Sequence, residues 1–239
     1  MVARLRAVLF DMGNTLVGAP DGPDPWYPAV MRHVAQEFGP SPWAEALYRT
    51  DLWPRSSEPY RQETNRWISE WLREHGQLLN DAEVERVRRA FAAPLPDIFA
   101  LTPGATEALR WCKTQGLSVA VLTNTLTRGD DEVRRDWERF GLGAVVDEVI
   151  SSYSTGWAKP HPAMFDRALA SSGAWADEAV MIGDEFLADV VGAKRAGMRA
   201  VWISAAPIEH APYVERPDAV IESLLDLPSL LEPWLGEGP

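Results

Sequence analysis

Two acidic residues stand where short apolar runs end. Asp11 follows Ala7-Val8-Leu9-Phe10, and Asp184 follows Ala179-Val180-Met181-Ile182-Gly183. A short apolar run that closes on an acid or a glycine reads as a buried strand. The two carboxylates are therefore expected at the ends of two different strands. Oxygen ligands presented in that way suit a hard cation, and Mg²⁺ prefers such ligands and keeps several waters. Asp189, five residues beyond Asp184, is a candidate further ligand or a holder of a metal-bound water. A single acid at a strand end is more often a helix cap or a loop acceptor. Two such acids, with Thr123-Asn124 closing a third apolar run, weaken that explanation.

Lys159 is the other residue that stands out. Only three lysines occur, Lys113, Lys159 and Lys194, against 20 arginines. In the loop Ala158-Lys159-Pro160-His161-Pro162 it offers a point charge for a phosphate or for the acids, although an ordinary surface lysine would look the same. The four histidines are scattered without metal-ligand spacing, and only His161 is near another candidate. His33 and His75 fall on helical stretches and His210 in a late loop. Cys112 lies on an apolar helix face and reads as core rather than nucleophile.

The elements that must position these residues alternate. Strands are expected at 7–10, 117–122, 149–150, 179–182, 199–203 and 219–221. Helices between them carry the faces Ala105/Ala108/Leu109/Cys112, Val133/Trp137/Phe140, Phe165/Ala168/Leu169 and Val190/Ala193/Ala196. Thr102-Pro103 is expected to start the first of these helices, and Asp130 or Asp131 to cap the second. Such βα repeats predict an α/β fold, a Rossmann-like parallel sheet with helices on both faces, whose ligands bind at the carboxyl ends of the strands. Residues 17–97 differ. After the Gly/Pro-rich stretch 18–25 come helical stripes at Trp26/Val30/Val34/Phe38, Trp67/Ile68/Trp71/Leu72 and Val84/Val87/Phe91, with no strand pattern. The chain thus divides into a core domain, 1–16 and 98–239, and an all-helical cap, 17–97, which is expected to hinge at Val17–Pro20 and Pro94–Pro96. The cap tryptophans Trp26, Trp43, Trp53, Trp67 and Trp71 are either a substrate pocket or, more simply, a small domain's core.

Composition narrows the function. The 239 residues are 46% hydrophobic, which suffices for a packed core. With 23 basic and 35 acidic residues the formal charge is −12, a poor match for nucleic acid. One cysteine permits no internal disulfide. No run is long enough to span a membrane or to form a signal-peptide core, so a cytoplasmic protein is expected, monomeric or homodimeric.

Four segments in order, Asp11-Met12-Gly13-Asn14-Thr15, Thr123-Asn124, Lys159-Pro160 and Gly183 to Asp189, resemble the motifs of the haloacid dehalogenase-like hydrolase superfamily. The resemblance covers the whole chain, with 17–97 matching the helical cap after the first strand. It implies that Asp11 is a nucleophile that forms a phosphoaspartyl enzyme and is also a Mg²⁺ ligand. Gly13 would ligate through its carbonyl, and Asp184 would be the second carboxylate ligand, with Asp189 supporting. Thr123, helped by Asn124, would hold a phosphoryl oxygen, and Lys159 would neutralise charge between Asp11 and the phosphoryl group. The implied activity is Mg-dependent hydrolysis of a small phosphorylated metabolite.

One position departs from the phosphatase pattern. The second aspartate that serves there as general acid and base is Gly13 in this chain, which cannot move a proton. Two remedies are open: a cap carboxylate or His161 reaches the site, or the leaving group needs little protonation, as in an acyl phosphate or a sugar 1-phosphate. Two other functions remain in view. A metal-free haloacid dehalogenase is one, although the retained Asp184 argues for phosphorus chemistry. The other is a catalytically impaired module that binds a phosphorylated ligand, although such a module has little reason to keep the remaining site residues.

Overall fold

The computed structural model describes residues 3–19, 24–52, 58–205 and 213–236; Pro20, Trp53 and His210 lie outside them. The strands β1 (Ala7–Phe10), β2 (Val17–Gly18), β3 (Ala100–Leu101), β4 (Ser118–Thr123), β5 (Glu148–Ser151), β6 (Ala179–Gly183), β7 (Arg199–Ile203) and β8 (Ala219–Ile221) fall into two sheets. Six of them form one sheet in the order β5-β4-β1-β6-β7-β8, and every pairing in it is parallel. All four β1 residues are buried, because the strand is covered on both faces. Alternate side chains feed two separate core layers, as the two-residue period of a strand requires. Val8, Phe10, Val119, Val121, Val180 and Ile182 face one layer. Ala7, Leu9, Ala120, Leu122, Ala179 and Met181 face the other.

Helices complete both layers. The first is closed by α5 (Ala105–Thr114) and α6 (Asp130–Arg139), through Leu109, Cys112, Val133 and Trp137. The second is closed by α8 (Pro162–Ser172), which follows the single turn α7 (Ser152–Thr155), through Met164, Phe165 and Ala168. This is the α/β arrangement expected of alternating strand and helix patterns.

Two helix starts differ from expectation. Helix α5 begins at Ala105 behind Gly104, whose φ is +85°. Thr102 does not open it, because its hydroxyl donates to the Thr15 carbonyl at 2.6 Å and its amide to the Leu16 carbonyl. A side chain at Gly104 would meet the Leu225 backbone at 2.8 Å, so this turn needs glycine for space as well as for its left-handed φ. Helix α6 is preceded by Gly129, whose amide donates to the Glu132 carboxylate. Asp130 accepts instead from the amide and hydroxyl of Ser151, which ties α6 to the end of β5.

Between β2 and β3 lie α1 (Trp26–Phe38), α2 (Pro42–Tyr48), α3 (Thr64–Glu74) and α4 (Asp81–Phe91). Helix α2 had no sequence stripe. The buried stripe of α3, Trp67/Ile68/Trp71/Leu72, packs with Val84 and Val87 of α4. Ala29, Val30 and Val34 of α1 pack with Ala90 and Ala93. The base of this layer is a two-residue antiparallel ribbon, in which Val17 pairs with Leu101 and Gly18 with Ala100. It was not expected, because two residues are too few to carry a periodic pattern. Among the described residues no helix is long and apolar enough to cross a membrane.

Candidate active site

The sheet delivers three residues to one edge. Asp11 follows β1, Thr123 ends β4 and Asp184 follows β6. Lys159 reaches the same point from the loop before α8, across a cis Lys159–Pro160 peptide. Its Nζ donates to Asp11 Oδ1 at 2.6 Å and to Asp189 Oδ1 at 2.7 Å. Lys159 is buried, as are Asp11 and Asp189. Burial alone would lower the lysine's pKa, but the two carboxylates outweigh it and hold the ammonium above its usual range. Burial also pushes the Asp189 carboxyl up, against the pull of Lys159. Asp184 is likewise raised, by burial first and then by the charge of Asp11.

Carboxylate oxygens of Asp11, Asp184 and Asp189 all lie within 4.8 Å of one another. Three acids around one ammonium leave negative charge for a cation to neutralise, and an all-oxygen donor set fits Mg²⁺ chemistry. The three are not equally free. Asp189 gives one oxygen to Lys159 and the other to the Glu185 amide at 3.0 Å, so it orients the lysine. Asp184 accepts from the Thr15 hydroxyl at 3.2 Å. Asp189 sits in a turn of π-helix, Phe186–Val191, folded back over β6. A Cβ at Gly183 would come within 2.1 Å of Asp189 Oδ2. Gly183 is therefore glycine because the carboxylate occupies that space, a constraint that sequence alone did not reveal. Thr15 also went unassigned, although it stands in the first motif.

Asn124 braces Lys159. Its Nδ2 donates to the Lys159 carbonyl at 3.1 Å, and its Oδ1 accepts the Lys159 amide at 2.8 Å. This reciprocal pair fixes the loop that carries the lysine. Gly13 faces open space, with nothing within 4 Å of where a Cβ would be. His161 does not enter the site. Its ring stacks on Trp157 at 3.8 Å, and its Nδ1 accepts the Ala163 amide as the cap of α8. Cys112 is fully buried in the core, and burial pushes its thiol up to about 12.

A cavity of about 580 Å³ opens over the acids, bounded by Asp11, Gly13, Thr123 and Asp184 below and by Trp26, Val30, Leu47 and Ile68 above. Trp26 thus serves the cavity wall, whereas Trp67 and Trp71 belong to the helical core. Polar contacts fasten the helical layer across this cavity. Gln62 Nε2 donates to the Thr125 and Leu126 carbonyls, and the Thr64 hydroxyl donates to Leu126. The Gln62 amide donates to the Gly156 carbonyl and the Ala158 amide to the Tyr60 carbonyl, next to Lys159. Arg88, almost fully buried, joins Glu85 of α4 to Glu132 of α6.

An acid cluster with a buried lysine thus lies at the carboxyl edge of a parallel α/β sheet, under a helical layer. The chain belongs to the haloacid dehalogenase-like hydrolases, whose family model matches residues 5–197. It is 32% identical over 209 residues to a phosphoserine phosphatase of Thermus thermophilus, covering 83% of this chain and 81% of that protein. It is 28% identical over 234 residues to a phosphoglycolate phosphatase of Pseudomonas fluorescens, covering 95% of this chain and 80% of that one. Its similarity to a glyceraldehyde 3-phosphate phosphatase of Pyrococcus furiosus, 33% identical, spans about half of each chain, 54% and 52%. A 2-haloacid dehalogenase from Pseudomonas syringae shares the fold, with a TM-score of 0.66 and 24% identity over 96% of this chain and 99% of that one.

Proposed function

We propose that this hydrolase is a phosphatase that cleaves a small phosphate monoester through a phosphoaspartyl intermediate on Asp11. The observation that carries the reading is the convergence of Asp11, Lys159, Asp184 and Asp189, with Asp11 and Asp184 at the floor of a cavity. In this reading, residues 17–97 are a cap domain and 1–16 with 98–239 the catalytic core.

Asp11 Oδ attacks phosphorus, and the bond to the leaving oxygen breaks. Lys159 holds the carboxylate in place through its hydrogen bond and offsets charge on the incoming phosphoryl group. Thr123 donates to a phosphoryl oxygen, while Asn124 acts through Lys159 by fixing its backbone. Asp11, the Gly13 carbonyl and Asp184 would hold Mg²⁺, with Asp189 supporting through Lys159. The ion, when bound, would supply charge neutralisation for the phosphoryl oxygens. The helical layer excludes water from the first step.

A metal-free dehalogenase would have no use for Asp184 beside Asp11. The test is a panel of phosphate esters and haloacids with and without Mg²⁺, with Asp11→Asn as control. Phosphate release that needs both Mg²⁺ and Asp11 is expected. Metal-independent halide release without phosphate release would replace this reading with the dehalogenase one.

A further inference from the structure

The cavity has a wall chemistry that selects among phosphate esters. Away from the acids its surface is apolar and partly aromatic: Trp26, Val30, Leu47, Ile68, Phe91 and Phe99. The polar side chains interspersed with these already have partners. Tyr48 donates its hydroxyl to Asp24 at 2.7 Å, Thr50 to the Ala46 carbonyl and Thr127 to the Phe91 carbonyl. Thr125 donates to the Arg128 carbonyl at 2.5 Å. Arg128 is the one cation among the described lining residues, and it is buried against Asp136 and the carbonyls of Ala92 and Ala93. Among the described lining residues a substrate carboxylate or second phosphate would find no cation free of a carboxylate partner. A sugar would bury hydroxyls against groups already bonded, which is costly.

The same wall is poor in proton donors. The Tyr48 proton is held by Asp24, and His161 is turned away onto Trp157. No carboxylate of the helical layer lines the cavity among the described residues, and Glu185 is exposed beside Asp184. With no uncommitted proton donor on the apolar wall among the described residues, a leaving oxygen that departs readily as an anion is favoured. A phenol ionises near pH 10, against about 15.7 for a hydroxyl such as that of water. Resting on the phosphatase reading, we propose that the substrate class is the aryl phosphates: monoesters of an uncharged, largely apolar body whose leaving oxygen is phenolic.

The step balances without a donor. The Asp11 oxygen–phosphorus bond forms while the phosphorus–phenolic oxygen bond breaks, and the phenolate leaves with that electron pair. Water then adds to phosphorus and releases the Asp11 carboxylate. Over both steps one water proton ends on the phenol and the other on inorganic phosphate. Each methylene added to the aryl body and buried on this wall is expected to raise kcat/KM by about two- to fourfold.

The test measures kcat/KM with Mg²⁺ for aryl phosphates of graded phenol acidity, an alkyl phosphate of equal size, phosphoglycolate and glucose 6-phosphate. The wild-type protein should favour the aryl esters by at least a hundredfold over the alkyl ester, with the charged and sugar esters lower still. Gly13→Asp, whose side chain enters open space, should narrow the aryl-to-alkyl ratio by roughly tenfold or more. Equal rates on aryl and alkyl esters in the wild-type protein would overturn the proposal by showing that a proton donor is present. Preference for phosphoglycolate or glucose 6-phosphate would also overturn it, leaving the phosphatase reading intact. Hydrolysis of no ester at all would instead remove the phosphatase reading.

Discussion

Removing the Lys159 ammonium leaves the buried carboxylates of Asp11 and Asp189 without their shared cation. Stranding one side of a buried charge pair costs roughly 3–5 kcal/mol. Lys159→Met is therefore expected to lower denaturant stability by about that much and to abolish turnover, and a melt indistinguishable from wild type would contradict the buried pairing. Cys112 makes a separate prediction. Its raised pKa keeps it protonated at pH 8, so a thiol reagent should label it only at the rate of global unfolding. Fast labelling of the native protein would place the thiol outside the core. Much at this scale was legible in the sequence, because a carboxylate directly after a buried apolar run has few places to go. What was not legible was pairing. Asn124 binds the Lys159 backbone from 35 positions away, and no local pattern announces such a bond. The empty surroundings of Gly13 and the crowding at Gly183 are likewise facts of space, invisible in one chain of letters.

Between elements, the decisive contact is β6 against the π turn that follows it. Gly183→Ala pushes a methyl group into Asp189, and relief requires the carboxylate to leave Lys159. Overpacking of this kind costs typically 1–3 kcal/mol. The variant should lose stability in that range and lose activity out of proportion, read as kcat against the thermal midpoint; unaltered kcat would show that Asp189 need not hold the lysine. The helical layer is fastened at its far side by Arg88 between Glu85 and Glu132. Arg88→Leu removes that tie and leaves two carboxylates without their shared cation. A raised KM and faster proteolysis between α4 and α6 are expected, and an unchanged KM would show that the layer closes without it. The long stripes of α1, α3 and α4 were readable because 3.6-residue periodicity repeats over three turns. The β2–β3 ribbon and helix α2 were not, since seven residues or fewer hold too little pattern, and their existence depends on what they pack against.

At the scale of the molecule, the fold is shared by phosphatases and a haloacid dehalogenase alike, so the chemistry has to be argued from the site. If Asp11, the Gly13 carbonyl and Asp184 bind Mg²⁺ only in the folded chain, the ion at a hundred times its Kd adds about 2.7 kcal/mol, or roughly 5–10 °C at this chain length. Asp184→Asn should erase most of that shift. An equal shift in the variant would move the ion elsewhere. In the proposed reaction Asp11 carries the phosphoryl group. Acid quenching during turnover of an aryl phosphate, followed by peptide mapping by mass spectrometry, measures this directly. A phosphoryl adduct is expected on the peptide containing Asp11, absent in Asp11→Asn, which should also be inactive. Sustained hydrolysis by Asp11→Asn, with no adduct on the wild-type peptide, would contradict it.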